Sequence, residues 1–479
     1  MTAPIIPTDH NYRDLFVGLD VNVPLLDGTT KRYINLDNAA STPSFKFVQN
    51  LVDNFLSYYS SVHRGTGFKS QLSTHAYEEA RHIVLRFLGA DPATHICVFG
   101  KNTTEAINKL ARRFPFTPER DVVLISGMEH HSNDLPWRMR GAQNGQFDIK
   151  TIFIDLTPDG QLDEVDFNNQ LERYKDRLAL VAVTGASNVT GYVNSIHRLA
   201  EKAHAAGALI LVDCAQLTPH RKVDMLSLDH PAHLDFVAIS AHKMYAPFGT
   251  GALIGRRDIF EHGEPDMTGG GTVEIVTKEN VVWAGPPDRD EAGSPNIVGA
   301  IALAAAIRQL EAVGMDAVGQ HEADLTAYAL EKLTTVPGIA IFGDTRPAQT
   351  STRLGVIPFE LQGNSHFKAA AVLGYEFGIG VRSGCFCAHP YILHLLKLTP
   401  EETATARTEM LAGDKSNMPG LIRVSFGLYN TKDEVDSLVE ALSSIQAGRY
   451  HGNYTQNIAT GEFTPEGWLP RFEEYFSFH

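Results

Sequence analysis

The chain has 479 residues, 43% hydrophobic and 20% charged, which is enough apolar material for two domains with sizeable cores. Its 56 acidic against 41 basic residues leave a formal charge of −15, which excludes the basic footprint of a nucleic-acid or anionic-membrane binder. Four cysteines make no disulfide framework, and the opening "MTAPIIPTDHNYRDLF" lacks the charged and apolar regions of a signal peptide, so a soluble cytoplasmic protein is expected.

In chain order, the first strand is expected over 95–99. "GKNTTEAINKLARRF" (100–114) then opens a helix whose apolar stripe is Ile107, Leu110, Ala111 and Phe114. Further strands are expected over 122–125, 151–154, 178–183, 208–212 and 236–239, each short, β-branched and apolar in the manner of strands covered on both faces. A helix over 197–206 stops at Gly207. Such alternation predicts a doubly wound α/β layer with a mainly parallel sheet, whose ligands sit beyond the carboxyl ends of the strands. The apolar run 297–307 is too short to span a bilayer.

After about residue 310 the pattern changes to α+β. "LIRVSFGLYNTKDEVDSLVEALSSI" reads as a strand, a turn and a helix capped by Thr431 and Glu434, with Val435, Leu438, Val439 and Leu442 facing inward. The expected division is a segment 1–30 packing on the small domain, a large domain 31–309 and a small domain 310–479. Residues 399–420 read as a solvated helix and loop, with a lid or partner surface as the sharper alternative.

Polar residues gather at four strand ends: Glu129-His130-His131-Ser132-Asn133, Ser187-Asn188-Val189-Thr190-Gly191, Asp213-Cys214-Ala215-Gln216 and Ser240-Ala241-His242-Lys243. One cofactor, pyridoxal phosphate, accounts for all of them, because it needs a lysine for its Schiff base and a carboxylate on its pyridine nitrogen. Lys243 and Asp213 fill those roles. Ser240 and His242 lie within reach of the phosphate, Gln216 of the ring phenolate, and His130 of the ring face. Free N–H groups of Thr103 and Thr104 at a helix start are expected to cradle the dianion.

With these residues placed, the chain resembles the class V, fold-type I pyridoxal-phosphate enzymes, and within them the cysteine desulfurases and selenocysteine lyases. The likeness runs through "INLDNAASTP", "HRGTG", "TTEAIN", "EHHSNDLPW", "SNVTG", "VDCAQ", "SAHKMYAPFGTGAL", "EAGSPN" and "IRVSFGLYNT". It implies that Lys243 is the Schiff-base lysine, Asp213 the pyridinium partner and His130 the stacking histidine. By the same likeness Gln216, Ser240, His242 and Thr104 anchor the cofactor, and Asn188 and Arg423 hold substrate, the arginine by its α-carboxylate. Ser294 matches a position that reaches a neighbouring subunit's phosphate, which implies a homodimer.

The motif Arg-x-Gly-x-x-Cys-Ala is met by "RSGCFCA" and places the sulfur-attacking nucleophile at Cys387. Its thiolate is expected to be served by Arg382 or His389. Where typical desulfurases carry two histidines this chain has Cys385-Phe386, a form more like the desulfurase domain of molybdenum-cofactor sulfurases. The expected activity is conversion of L-cysteine to L-alanine with a persulfide on Cys387, which passes to an acceptor protein. Open alternatives are a lyase acting on L-selenocysteine or releasing sulfide, a molybdenum-cofactor-type sulfurase, and a non-catalytic scaffold. The spacing Cys385, Cys387, His389, His394 also allows a metal clip, but no metal is expected. Cys97 and Cys214 read as inert buried thiols.

Overall fold

The computed structural model describes residues 3–5, 11–63, 65–143 and 148–479, with backbone alone for 140–143. Arg64 of "HRGTG" and parts of the N-terminal segment lie outside the described residues. The larger sheet has seven strands in the order His95–Gly100, Gly251–Arg256, Phe236–Ser240, Leu209–Asp213, Leu178–Thr184, Val122–Ser126 and Lys150–Ile154. All neighbours are parallel except Gly251–Arg256, which runs antiparallel to both of its partners. Six strands fall where the sequence places them, to within a residue at each end. The seventh, Gly251–Arg256, begins at the end of the "SAHKMYAPFGTGAL" motif and is not among the expected strands.

The period-two alternation of the strands sorts their side chains onto two faces. Ile96, Val98, Val123, Ile125, Leu180, Leu211 and Leu253 meet Ile107, Leu110 and Phe114 of the helix Thr103–Arg113 on one face. Cys97, Leu124, Val181, Ile210, Val212 and Val237 meet Tyr77 and Val84 of Phe68–Phe87, and Ile297–Val313, on the other. Each such buried aliphatic side chain contributes about 1.5–3 kcal/mol, so both layers are held to the sheet. The edge strand Lys150–Ile154 departs from the expected double cover, since Phe153 is 38% exposed. Among the described residues no single helix is long and apolar enough to cross a membrane.

A second, antiparallel sheet runs Ile339–Ile341, Val356–Leu361, Leu421–Ser425, Arg382–Gly384. It is backed by His366–Phe377 and Lys432–Gln446, whose Val435, Leu438 and Leu442 are buried as the stripe requires. The Thr431 N–H donates to the Glu434 carboxylate at 3.2 Å. Residues 34–37 are shared between the layers. Ile34 pairs with Ile379, Asp37 bridges to Ser425, and Ile34 and Leu36 are buried in the small sheet's core. Arg13 pairs with Glu434 at 2.7 Å, while Phe16 stacks on Phe45 and packs against Tyr245 and Tyr429. The segment 399–420 is a helix, Pro400–Leu411, with no buried residue and a Thr399–Glu402 capping box, followed by a loop.

Candidate active site

The carboxyl ends of the parallel strands and the loops of the small sheet enclose a cleft of about 200 Å³. Eleven of the twelve residues singled out in the sequence line it: Thr103, Thr104, His130, Asn188, Asp213, Gln216, Ser240, His242, Lys243, Cys387 and Arg423. Ser294 does not. It is exposed and lines a separate hollow with Glu105, Lys109 and Asn296.

One end of the cleft is formed by a helix start and a group of hydroxyls. Asn102, in extended backbone, caps Thr103–Arg113 by accepting the Glu105 N–H at 3.0 Å, which turns the helix start toward the cleft. The Thr103 N–H is not free as expected. It donates to Ser240 Oγ at 2.8 Å, and the Thr103 hydroxyl lies at the same distance, so the two hydroxyls form one cluster at the helix start. Thr104 Oγ1 meets Ser132 Oγ at 2.6 Å, and Ser132 Oγ lies 2.9 Å from His130 Nδ1. The Ser132 N–H also donates to that nitrogen at 3.1 Å, which makes Nδ1 an acceptor and puts the ring proton on Nε2. Burial, aided by the charge of Lys243, pushes His130 down to about 3. Its imidazole is therefore neutral at ordinary pH.

At the centre, adjacent parallel strands end in Asp213 and, one 3₁₀ turn past Ser240, in Lys243. Burial pushes the Lys243 amine down to about 8 against the attraction of Asp213. Burial raises Asp213, opposed by the Ala215 N–H and by Lys243. Asp213 Oδ1 accepts the Ala215 N–H at 3.0 Å, and among the described residues no donor is in hydrogen-bond reach of its other oxygen. A buried carboxylate with one open oxygen in a polar cleft calls for a ligand N–H. Gln216 spends one of its two amide hydrogens on Ala39 O at 2.8 Å and keeps the other. His242 is pushed down to about 4 by burial and by Lys243.

The opposite wall comes from the small sheet. Arg423 and Arg382 are paired directly across their strands, an arrangement that repels unless an anion intervenes. Asp37 supplies it, 2.8 Å from Arg423 Nη2 and 3.8 Å from Arg382 Nη1. Arg423 Nη1 donates to Asn188 O at 2.9 Å, its guanidinium lies 4.9 Å from the Phe386 ring centroid, and its buried Nε has no acceptor. Asp37 lies within "INLDNAASTP", but no local pattern points to this role, because its partner stands 386 positions away.

The two sulfurs of "RSGCFCAHP" are unequal. Cys387 is exposed and lines the cleft, whereas Cys385 is buried, donates its S–H to Pro419 O at 2.9 Å, and is pushed up to about 12 by burial. Phe386 and Cys387 both take left-handed backbone, with φ of 50° and 54°, at a cost of about 1–2 kcal/mol each. Two donors hold them there. Asn188 Nδ2 donates to Phe386 O at 2.8 Å and the His131 N–H to Cys387 O at 2.7 Å. Thus "SNVTG" and "EHHSN" pin the cysteine loop from the large sheet. His389 faces His131, Nδ1 to Nε2 at 3.2 Å with rings stacked, and it does not line the cleft, whereas Arg382 does. The metal-clip spacing does not converge, since His394 Nε2 is bound to Thr157 O at 2.8 Å and Cys385 to Pro419 O.

The aminotransferase class-V family model matches residues 34–438, and the chain belongs to that family. Several similar curated proteins are named as cysteine desulfurases. A probable cysteine desulfurase of Staphylococcus aureus (strain Mu50 / ATCC 700699) is 36% identical over 424 residues, 88% of this chain and 94% of that protein. A cysteine desulfurase of Dickeya dadantii (strain 3937) is 36% identical over 416 residues, 86% of this chain and 91% of that one. Among solved structures, the apo cysteine desulfurase of Thermococcus onnurineus NA1 superposes with a TM-score of 0.75 at 33% identity, covering 87% of this chain and 95% of its own. The S-sulfonic acid form of the Escherichia coli cysteine desulfurase CsdA gives 0.74 at 29% identity, covering 93% and 100%.

Proposed function

We propose that this chain is a pyridoxal-phosphate-dependent cysteine desulfurase that converts L-cysteine to L-alanine and takes the sulfur onto Cys387. The observation that carries the reading is an exposed cysteine, pinned in strained backbone, on the same cleft as Lys243 and the half-open Asp213 carboxylate. The residues fit the cofactor: a hydroxyl-lined helix start for its phosphate, an amine for its aldehyde, an open carboxylate oxygen for its ring nitrogen, and a neutral imidazole for its face. When bound, pyridoxal phosphate supplies an electron sink that acidifies the substrate's α-carbon.

The chain's own groups do the rest. Arg423, oriented by Asp37 and Asn188, binds the substrate α-carboxylate and so fixes where the thiol end lies. Lys243 Nζ, with its pKa near 8, accepts and returns a proton at working pH where an ordinary lysine would stay charged. Cys387 Sγ stands at the exposed side of the cleft, where it meets substrate sulfur on one side and an acceptor thiol on the other. Transfer from an exposed persulfide to an acceptor protein is the natural exit, and a reducing cytoplasm keeps the thiol ready. A homodimer is supported by the placement of Ser294 outside its own chain's cleft. The hairpin Val273–Val276 and Val281–Trp283 supports it too, leaving Ile275, Val276, Val281 and Val282 about half exposed.

The test is to give the holoenzyme L-cysteine, then quantify alanine and map added sulfur by peptide mass. Added sulfur on the peptide holding Cys387, and its loss in Cys387→Ala together with alanine formation, is expected. A Cys387→Ala enzyme that keeps full turnover and frees sulfide would make the protein a lyase, and turnover by Lys243→Ala would end the scheme.

A further inference from the structure

At the amino ends of the parallel strands, across the sheet from the cleft, three ligand-type side chains converge. His204 comes from the last turn of the helix Ile196–Ala205, and His233 and Asp235 from the segment leading into Phe236–Ser240. Their ligand atoms all lie within 4.8 Å of one another, and among the described residues no other group of three does so. His204 Nε2 stands 2.8 Å from Asp235 Oδ2, and His233 Nε2 3.2 Å from Oδ1. The two rings are stacked 4.1 Å apart.

The tautomers are dictated by what lies behind the rings. His204 Nδ1 is 2.7 Å from Pro231 O, and His233 Nδ1 is 2.7 Å from His230 O. A carbonyl oxygen can only accept, so each Nδ1 carries a proton, and each Nε2 facing the carboxylate either carries a second proton, making the ring an imidazolium, or offers its lone pair to a metal cation. Such an arrangement holds either two protons or one divalent cation between the rings and the carboxylate, and the two exchange directly. Commitment of Nδ1–H to a backbone carbonyl is also how metal-binding histidines are held. Tetrahedral zinc, with bonds of about 2.0–2.2 Å, spaces its ligands about 3.3 Å apart; His233 Nε2 already stands 3.2 Å from the carboxylate, and His204 Nε2, at 2.8 Å, would move back by a few tenths of an ångström.

The remaining charges allow for a cation. Asp235 is fully buried and takes the Ile210 N–H at 2.9 Å and Arg256 Nη1 at 3.2 Å. Arg256 also binds Asp258 through two nitrogens, at 3.1 and 2.6 Å, so a second carboxylate holds its guanidinium if a metal claims the Asp235 oxygen. His95, opposite Arg256 in the sheet and fully buried, has an Nε2 with no partner.

We propose that His204, His233 and Asp235 bind one zinc-type divalent cation, tying the segment before Phe236–Ser240 to the end of the preceding helix. Two imidazoles and one carboxylate select a borderline cation over calcium or magnesium, which want oxygen alone, and over thiol-seeking copper(I). This site is independent of the cleft and of the activity proposed for it.

The test uses the full holoenzyme, dialysed against chelator and then given zinc chloride alone. About one retained zinc per chain and a raised melting temperature are expected. His204→Gln and His233→Gln together should weaken zinc binding by more than the roughly 10–100-fold typical of losing an outer-shell partner, while Cys387→Ser keeps it. In the unmutated protein, cobalt(II) should give a tetrahedral visible spectrum without a thiolate charge-transfer band, a readout that survives if the variants misfold. No retained zinc, zinc retained undiminished by the double variant, loss in Cys387→Ser, or a thiolate band with cobalt would each overturn the proposal.

Discussion

Lys243 is the group on which the proposed chemistry turns, and its environment makes a numerical forecast. Burial disfavours the ammonium and takes the pKa from 10.5 to about 8, with Asp213 pulling it up and Arg423 pushing it further down. A shift of this size is about 3 kcal/mol between the two protonation states. At pH 7 about one amine in ten is then neutral, against about one in three thousand for an ordinary lysine, a gain of roughly 300-fold in reactive amine. The assay is the rate at which cofactor-free protein takes up pyridoxal phosphate, followed by absorbance across pH 6–11. The rate should rise to a plateau with its inflexion near pH 8. Asp213→Asn removes the attraction that favours the ammonium, so its inflexion should move below that of the unmutated protein. The linked stability has a definite sign. Below pH 8 the folded and unfolded chains both carry the proton and the folded one bears the full penalty. Between about pH 8 and 10.5 the folded chain sheds it first, so this group's contribution to stability rises with pH. An inflexion at or above pH 10, or an upward move in Asp213→Asn, would refute the reasoning.

The inequality of the sulfurs predicts that iodoacetamide on native protein labels Cys387 alone. Cys385 is buried, hydrogen-bonded and pushed up to about 12, and burial raises Cys97 and Cys214 as well. Peptide mapping that found Cys385 labelled as fast as Cys387 would contradict this. Gly191→Ala should destabilise by more than the about 1–2 kcal/mol of a left-handed residue. Gly191 has φ +75°, and an added Cβ would stand 2.7 Å from Leu354 O. Calorimetry should show a lower melting temperature, and because the same loop carries Asn188 and holds the cysteine loop, KM for cysteine should rise. An unchanged melting temperature would remove the argument.

Much of the cleft was legible because each cofactor-side residue lies a few positions past a strand, where chain direction alone carries it to the sheet's carboxyl edge. That logic located Asp213, Lys243, Asn188 and His130 without any long-range contact. It missed Gly251–Arg256, since two glycines break its apolar run and its antiparallel place between His95–Gly100 and Phe236–Ser240 depends on pairing with both. It also took the Thr103 N–H as free, because Ser240 Oγ, 137 positions on, is brought to it only by the fold.

The sequence by itself therefore determined the alternation of strands and helices, the set of polar strand ends, and the choice of Cys387 over Cys385 by motif, all of which rest on neighbours along the chain. Only the tertiary structure decided that Asp37 stands between Arg423 and Arg382, and that Asn188 and His131 hold the cysteine loop in left-handed backbone. It alone decided that His394 turns to Thr157 while His204, His233 and Asp235 converge. Hydrogen bonds and ion pairs act over a few ångströms and are blind to sequence distance, so only packing the two sheets together brings their partners within reach.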